Sequence, residues 1–142
     1  MCLLLTYINI YVNIEINKIR RCARKEKFRL INIIYTKSFD NSAKNLKRHR
    51  KELTILKEIT EKVTNHNTFE ELRNNPVMTT IYKFKELRHQ NSGFWSLNLE
   101  KNGGVIRLIV MPSENENEII FVYVSYDHYK DFTPDKLKFY DE

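Results

Sequence analysis

The sequence predicts an α+β fold: one antiparallel-rich twisted sheet with an N-terminal strand and a two-helix layer on one face. Three observations carry this. An Ile-rich run, "RLINIIYT" at residues 29–36, reads as a strand. Leu46, Leu53, Leu56, Ile59 and Val63 then recur at intervals of seven, three, three and four, which marks the apolar face of a helix. From Thr79 onward the texture changes to alternating and then continuous apolar runs, as strands require. A strand, helices, and three or four antiparallel strands make one sheet under one helical layer.

Each element has local support. Ser38, Asp40, Asn41 and Ser42 offer N-caps for the helical stretch, which is either one amphipathic helix or a hairpin of two bending near Arg50. Lys44, Lys47, Arg48 and Lys51 load its other face. "TFEELRNNP" reads as a short capped helix stopped before Pro76. "TTIYKFKELR" alternates, with Tyr82 and Phe84 opposite Lys83 and Lys85, and is expected as a strand. In "GFWSLNLE", Trp95, Leu97 and Leu99 take one face and Ser96, Asn98 and Glu100 the other. Asn102-Gly103 signals a hairpin, because both residues tolerate positive φ. "VIRLIVM" follows, and then a polar "SENENE" loop. "IIFVYVS" is apolar throughout, as a central strand covered on both faces would be. The polar, aromatic tail has room for one short helix after Pro134.

At 142 residues the chain is long enough for one domain and short for two. Its charge is unevenly spread. Residues 18–62 hold 15 basic and 5 acidic side chains, and residues 63–142 hold 9 and 12. A basic block of that kind suits a polyanion or an acidic protein as partner, or else is a solvated helix face. Two cysteines, Cys2 and Cys22, make no disulfide framework and fit a reducing, cytoplasmic setting. The four histidines are too scattered for a metal-ligand spacing, so no metal and no cofactor is expected.

Residues 1–27 stand apart as an extension to a domain spanning 28–142. The apolar run at residues 3–16 carries Asn9, Asn13 and Glu15 and is short of the roughly 20 residues of a membrane span. Its positive charges follow the run, whereas a signal peptide puts them first. Three readings remain: an extra strand or helix, a weak membrane anchor, or sequence upstream of the true start. We favour the last over an integral structural element, and expect no membrane association.

Chemistry concentrates in two places. Arg107 lies inside an apolar strand, sharing a face with Val105 and Ile109. Pairing across the Asn-Gly turn can bring it onto the face of Ser96, Asn98 and Glu100. A guanidinium there has five fixed donors and suits bidentate phosphate binding. A surface salt bridge, to Glu100 for instance, explains it equally well. Residues 126–132, "YDHYKDF", emerge directly from the apolar strand. Histidine moves protons near neutral pH, and tyrosine donates a hydrogen bond or stacks on a base. On the residues alone, an ordinary loop histidine between aromatics is the commoner explanation of His128. RNA cleavage needs only a base for the ribose 2′-OH, cations on the phosphate, and an acid for the departing 5′ oxygen. Arg107, His128 and Tyr129 can supply a cation, an acid or base, and positioning.

"FKELRHQNSGFWSLNLEKNGGVIRLIV", followed by an apolar strand and "YDHYKDF", resembles the RelE/HigB/YoeB superfamily of bacterial type II toxins. Leu87-Arg88, Gly93-Phe94-Trp95-Ser96, Arg107 and His128-Tyr129 fall in that family's order at compatible distances. The resemblance implies a RelE-like fold and a metal-independent endoribonuclease, an mRNA interferase that acts on mRNA on the ribosome. It implies cleavage by 2′-OH attack, leaving a 2′,3′-cyclic phosphate, and a cognate antitoxin as partner. Under it, Arg107, His128 and Tyr129 are catalytic, and Lys85, Arg88, Ser96 and Asn98 bind RNA. The sequence departs from the pattern at the general base. Lys85 stands where the YoeB branch has a glutamate, with Glu86 one step off, and Ser96 and Asn98 stand where the RelE branch has lysines. An alternative on the same fold is a ParE-like toxin that inhibits DNA gyrase by protein contact, and a third is a non-catalytic member that only binds its antitoxin.

Overall fold

The computed structural model describes residues 30–101 and 103–140. The extension at residues 1–27, with both cysteines, and Asn102 lie outside the described residues. β1 (Asn32–Tyr35) leads into α1 (Lys37–Ala43), a 3-10 turn (Lys44–Arg48) and α2 (Arg50–Thr64). Two short helices follow, α3 (Phe69–Arg73) and α4 (Pro76–Thr80). The remainder is β2 (Lys85–Glu86), β3 (Trp95–Asn98), β4 (Arg107–Pro112) and β5 (Glu118–Ser125). They form one five-stranded sheet in the order β1-β5-β4-β3-β2. β1 runs parallel to β5, and every other pair is antiparallel.

The helical hairpin forms because its apolar spacing and its break coincide. Leu46, Leu53, Leu56, Ile59 and Val63 are all buried in the main core. The bend comes at His49, which leaves helical geometry at φ −129°, ψ 70° just before α2 begins at Arg50. The N-cap of α1 is Thr36, upstream of the four candidates in the sequence. Its hydroxyl accepts from the Phe39 N–H at 2.9 Å and donates to the Val122 carbonyl at 2.7 Å. One side chain thus ends β1, starts α1 and ties both to β5. The candidates downstream sit inside the helix, where Ser42 instead donates back to Ser38 and accepts from the Val124 N–H.

The strand expected from Thr79 is mostly not a strand. Asn75 accepts from the N–H groups of Val77 and Met78, Pro76 occupies the first helical position, and residues 76–80 form α4. Lys83 then takes φ 54°, which breaks extended pairing until the two residues of β2. The alternation itself survives as burial, with Tyr82 and Phe84 inside and Lys83 and Lys85 outside.

The sheet is covered on both faces, unequally. On the helical face, Leu97, Leu108, Val110, Phe121 and Val124 pack with Phe39, Leu56 and Ile59. Aromatic edges interlock there, with Phe39 and Phe121 centroids 5.7 Å apart and Phe84 and Trp95 centroids 5.1 Å apart. The opposite face is less polar than the sequence pattern suggests. Ile109, Val122 and Phe132 form a second, smaller core, with Phe94, Met111, Tyr123 and Tyr129 packed against it. An irregularity between Ile109 and Val110 inserts Val122 as an extra residue of β5, which puts it on that face. The tail folds back to supply Phe132, 5.1 Å from the Phe94 ring.

Candidate active site

Register places the chemistry. Residues directly opposite one another across a sheet share a face. Asn98 pairs with Arg107 and Arg107 with Ser125, while Lys85 pairs with Ser96 and Ser96 with Ile109. These two adjacent rows run across the face away from the helices. The same rule removes Glu86. It pairs with Trp95, whose ring packs with the helical-side core, so its carboxylate belongs to the other face.

Arg107 is only 5% exposed, far more sheltered than a surface cation. Its Nη1 donates to the Ile106 carbonyl at 3.1 Å, and a guanidinium has further donors to offer. The salt-bridge explanation fails on burial. Glu100 also folds elsewhere, with its carboxylate against Gly104, where even a Cβ would overlap it. A sheltered guanidinium is costly unless it is paired, and it is correspondingly strong toward an anion that reaches it.

Beyond Ser125 the chain turns back over this face. The His128 N–H donates to the Val105 carbonyl at 2.9 Å, which pins the loop two residues from Arg107. His128 and Tyr129 both adopt left-handed backbone, φ 50° and 75°. For non-glycine residues that conformation costs about 1–2 kcal/mol each, and such strain recurs at functional sites. Their rings lie 4.7 Å apart. The Tyr129 hydroxyl reaches Ser96 Oγ at 3.0 Å. The imidazole sits close enough to the cations to feel them. Desolvation first, then the charges of Arg107, Lys85 and Lys130, hold its pKa below the usual histidine value, with Asp127 opposing.

Arg107, His128, Tyr129, Ser96, Asn98 and Lys85 therefore gather on one face. Ser96 is fully buried and engaged with Tyr129. Asn98 is half-buried beside Arg107, and Lys85 is exposed. Arg88 is exposed in the β2–β3 connection, with no contact to this group among those described. Sequence reading missed Ser125 and Asp131. Ser125 Oγ donates to Asp131 at 2.5 Å and accepts from the Tyr129 N–H at 2.9 Å. A serine that ends an apolar strand and an aspartate in a polar tail carry no signal of such a contact until the turn closes.

Two clefts open elsewhere on the surface. One, about 580 Å³, runs between α2 and the β3–β4 loop and is lined by Lys51, Ile55, Glu58, Leu99 and Glu100. The other, about 400 Å³, lies behind the loop at Arg48, His49, Tyr126 and Asp131. Neither includes Arg107, His128 or Tyr129. Among the described residues, no group of three His, Cys, Asp or Glu side chains could hold a metal ion. No described helix is long and apolar enough to cross a membrane.

No family model matches the sequence, and no curated protein matches it. Solved structures do. The DinJ–YafQ toxin–antitoxin complex of E. coli aligns at TM-score 0.52 and 17% identity, covering 73% of this chain and 99% of that one. YafQ from E. coli, crystallised by itself, aligns at 0.50 and 18%, covering 68% and 92%. A copper-bound mutant toxin from Helicobacter pylori aligns at 0.50 and 14%, covering 72% and 100%. Together with the mixed five-stranded sheet and its helical layer, these neighbours identify the architecture: the chain has the fold of the RelE-like toxins.

Proposed function

We propose that this protein is the toxin of a type II toxin–antitoxin system and that it acts as an endoribonuclease on mRNA, by 2′-OH attack. The single observation that carries the reading is the convergence of a sheltered arginine with a histidine–tyrosine pair on the sheet face away from the helices. The shared fold supports the toxin class, and the neighbour solved in complex with its antitoxin supports a protein partner of that kind.

The chemistry follows from the groups present. Arg107 and Lys85 draw in the scissile phosphate and offset the charge that builds on it. His128, its pKa held low by its surroundings, is neutral at neutral pH and free to accept the 2′-OH proton. The 2′ oxygen then attacks phosphorus, the P–O5′ bond breaks, and a 2′,3′-cyclic phosphate remains. The proton on the imidazole is available to the departing 5′ oxygen. Tyr129, propped by buried Ser96, positions the nucleotide beside the imidazole. No step needs Glu86. mRNA on the ribosome is the expected substrate, in the cytoplasm, and the basic face of the helical hairpin supplies long-range attraction to RNA.

Expression should arrest growth, and co-expression of a cognate antitoxin should relieve it. Arg107→Ala or His128→Gln should abolish the arrest while leaving a folded protein. Arrest that persists in both variants, with loss of gyrase supercoiling in extracts, would replace this reading with a gyrase poison on the same fold.

A further inference from the structure

We infer that Ser125 and Asp131 are positioning residues: they clamp the loop bearing His128 and Tyr129 in its left-handed conformation, against the strand that bears Arg107. The inference rests on the ribonuclease reading above for its catalytic meaning, and on geometry for the clamp itself.

Backbone hydrogen bonding across the turn makes the case. Every N–H from Tyr126 to Lys130 has an acceptor. Tyr126 donates to Asp131 Oδ2 at 2.9 Å, Asp127 to Ser125 Oγ at 3.4 Å, and Tyr129 to Ser125 Oγ at 2.9 Å. His128 donates to the Val105 carbonyl, and Lys130 to the Asp127 carbonyl at 3.1 Å. Three of these five bonds end on side-chain oxygens of the Ser125–Asp131 pair. Ser125 is buried and uses its one donor and both lone pairs. It is also the direct sheet partner of Arg107, so whatever it holds is referred to the guanidinium's own strand. Only a carboxylate can accept from the Ser125 O–H and the Tyr126 N–H together. An asparagine of the same shape would turn an NH₂ toward one of those donors. Two adjacent left-handed residues with bulky side chains persist only when their surroundings over-determine them, and this clamp does so.

The test pairs a structural readout with a kinetic one in wild type, Asp131→Asn and Ser125→Ala. Ser125→Ala removes a single hydroxyl, and so serves should Asp131→Asn fold poorly. Amide hydrogen exchange at residues 126–130 should accelerate in the variants while exchange in α2 and β4 stays slow. RNA cleavage should lose about ten- to a hundred-fold in kcat with KM little changed, as misplacement of a catalytic group does. The imidazole of His128 faces Arg107 from β4, Lys85 from β2, and Lys130 and Asp127 from its own loop. Its NMR titration midpoint should rise toward the ordinary histidine value as the loop leaves the strand-borne cations. Unchanged exchange in both variants would overturn the clamp. A released loop with undiminished kcat would overturn its catalytic role. A wild-type protein with a protected loop that cuts no RNA would overturn the ribonuclease reading, and the catalytic role with it, while the clamp stood.

Discussion

At the scale of single residues, burial and charge decide what each group does. Arg107 announces itself in the sequence as a cation in an apolar run, but its near-complete shelter arises in the folded sheet, where it lies between Asn98 of β3 and Ser125 of β5. Arg107→Ala should therefore lower cleavage about a hundred-fold or more. Arg107→Lys should recover little, because an ammonium loses the planar fork. A single-turnover assay checks both. His128 gives a pH signature. Its folded pKa lies below the unfolded value of about 6.5. Between the two, the unfolded chain binds the extra proton, so its contribution to stability is present above pH 6.5 and lost as pH falls through the folded value. Cleavage shares the direction: kcat/KM should rise through that window and level off, and His128→Gln should abolish the limb. A bell centred above pH 7 would be inconsistent with His128 as the base. Glu86 shows what sequence alone leaves open. One residue of offset looked like a small departure, yet in a strand it moves the carboxylate to the opposite face.

At the scale of elements, periodicity was legible and termini were not. The apolar spacing of the helical hairpin and the apolar run of β5 translate directly into buried faces. The bend near Arg50 also appears, because the basic, polar residues around His49 offer no apolar contact to continue the helix. Residues 76–80 went the other way. Asn75 and Pro76 form a strong local cap, and local capping outweighed a weak alternation spread over ten residues. Thr36 was hidden for a different reason. Its second bond, to the Val122 carbonyl, joins positions 86 residues apart. Thr36→Ala should cost about 2 kcal/mol in urea unfolding, since it removes a cap and leaves a buried carbonyl unpaired. A loss below about 0.5 kcal/mol would mean that the cap contributes little.

For the molecule as a whole, asymmetry links fold to function. One face of the sheet is sealed by helices, and the other carries a small core at one end and Arg107 and His128 at the other. The division into a sealed face and a face bearing Arg107 could be anticipated from alternating strands, but the small core could not. Its consequence, that Ser96 is buried beneath Tyr129, could not, because it depends on how the tail folds back. The basic residues of the helical hairpin should make RNA association fall steeply with salt. Reversing Lys47 and Arg48 to glutamate should weaken binding several-fold with kcat intact, as fluorescence anisotropy would record. Equal affinity in the reversed protein would place the RNA path elsewhere. The most direct measurement is the chemistry of the cut ends. Purified protein should be incubated with mRNA, with and without ribosomes, beside Arg107→Ala and His128→Gln. Fragments ending in 2′,3′-cyclic phosphate from the wild type, and intact RNA from both variants, are the predicted result. Intact RNA from the wild type under both conditions, or equal cutting by His128→Gln, would contradict it.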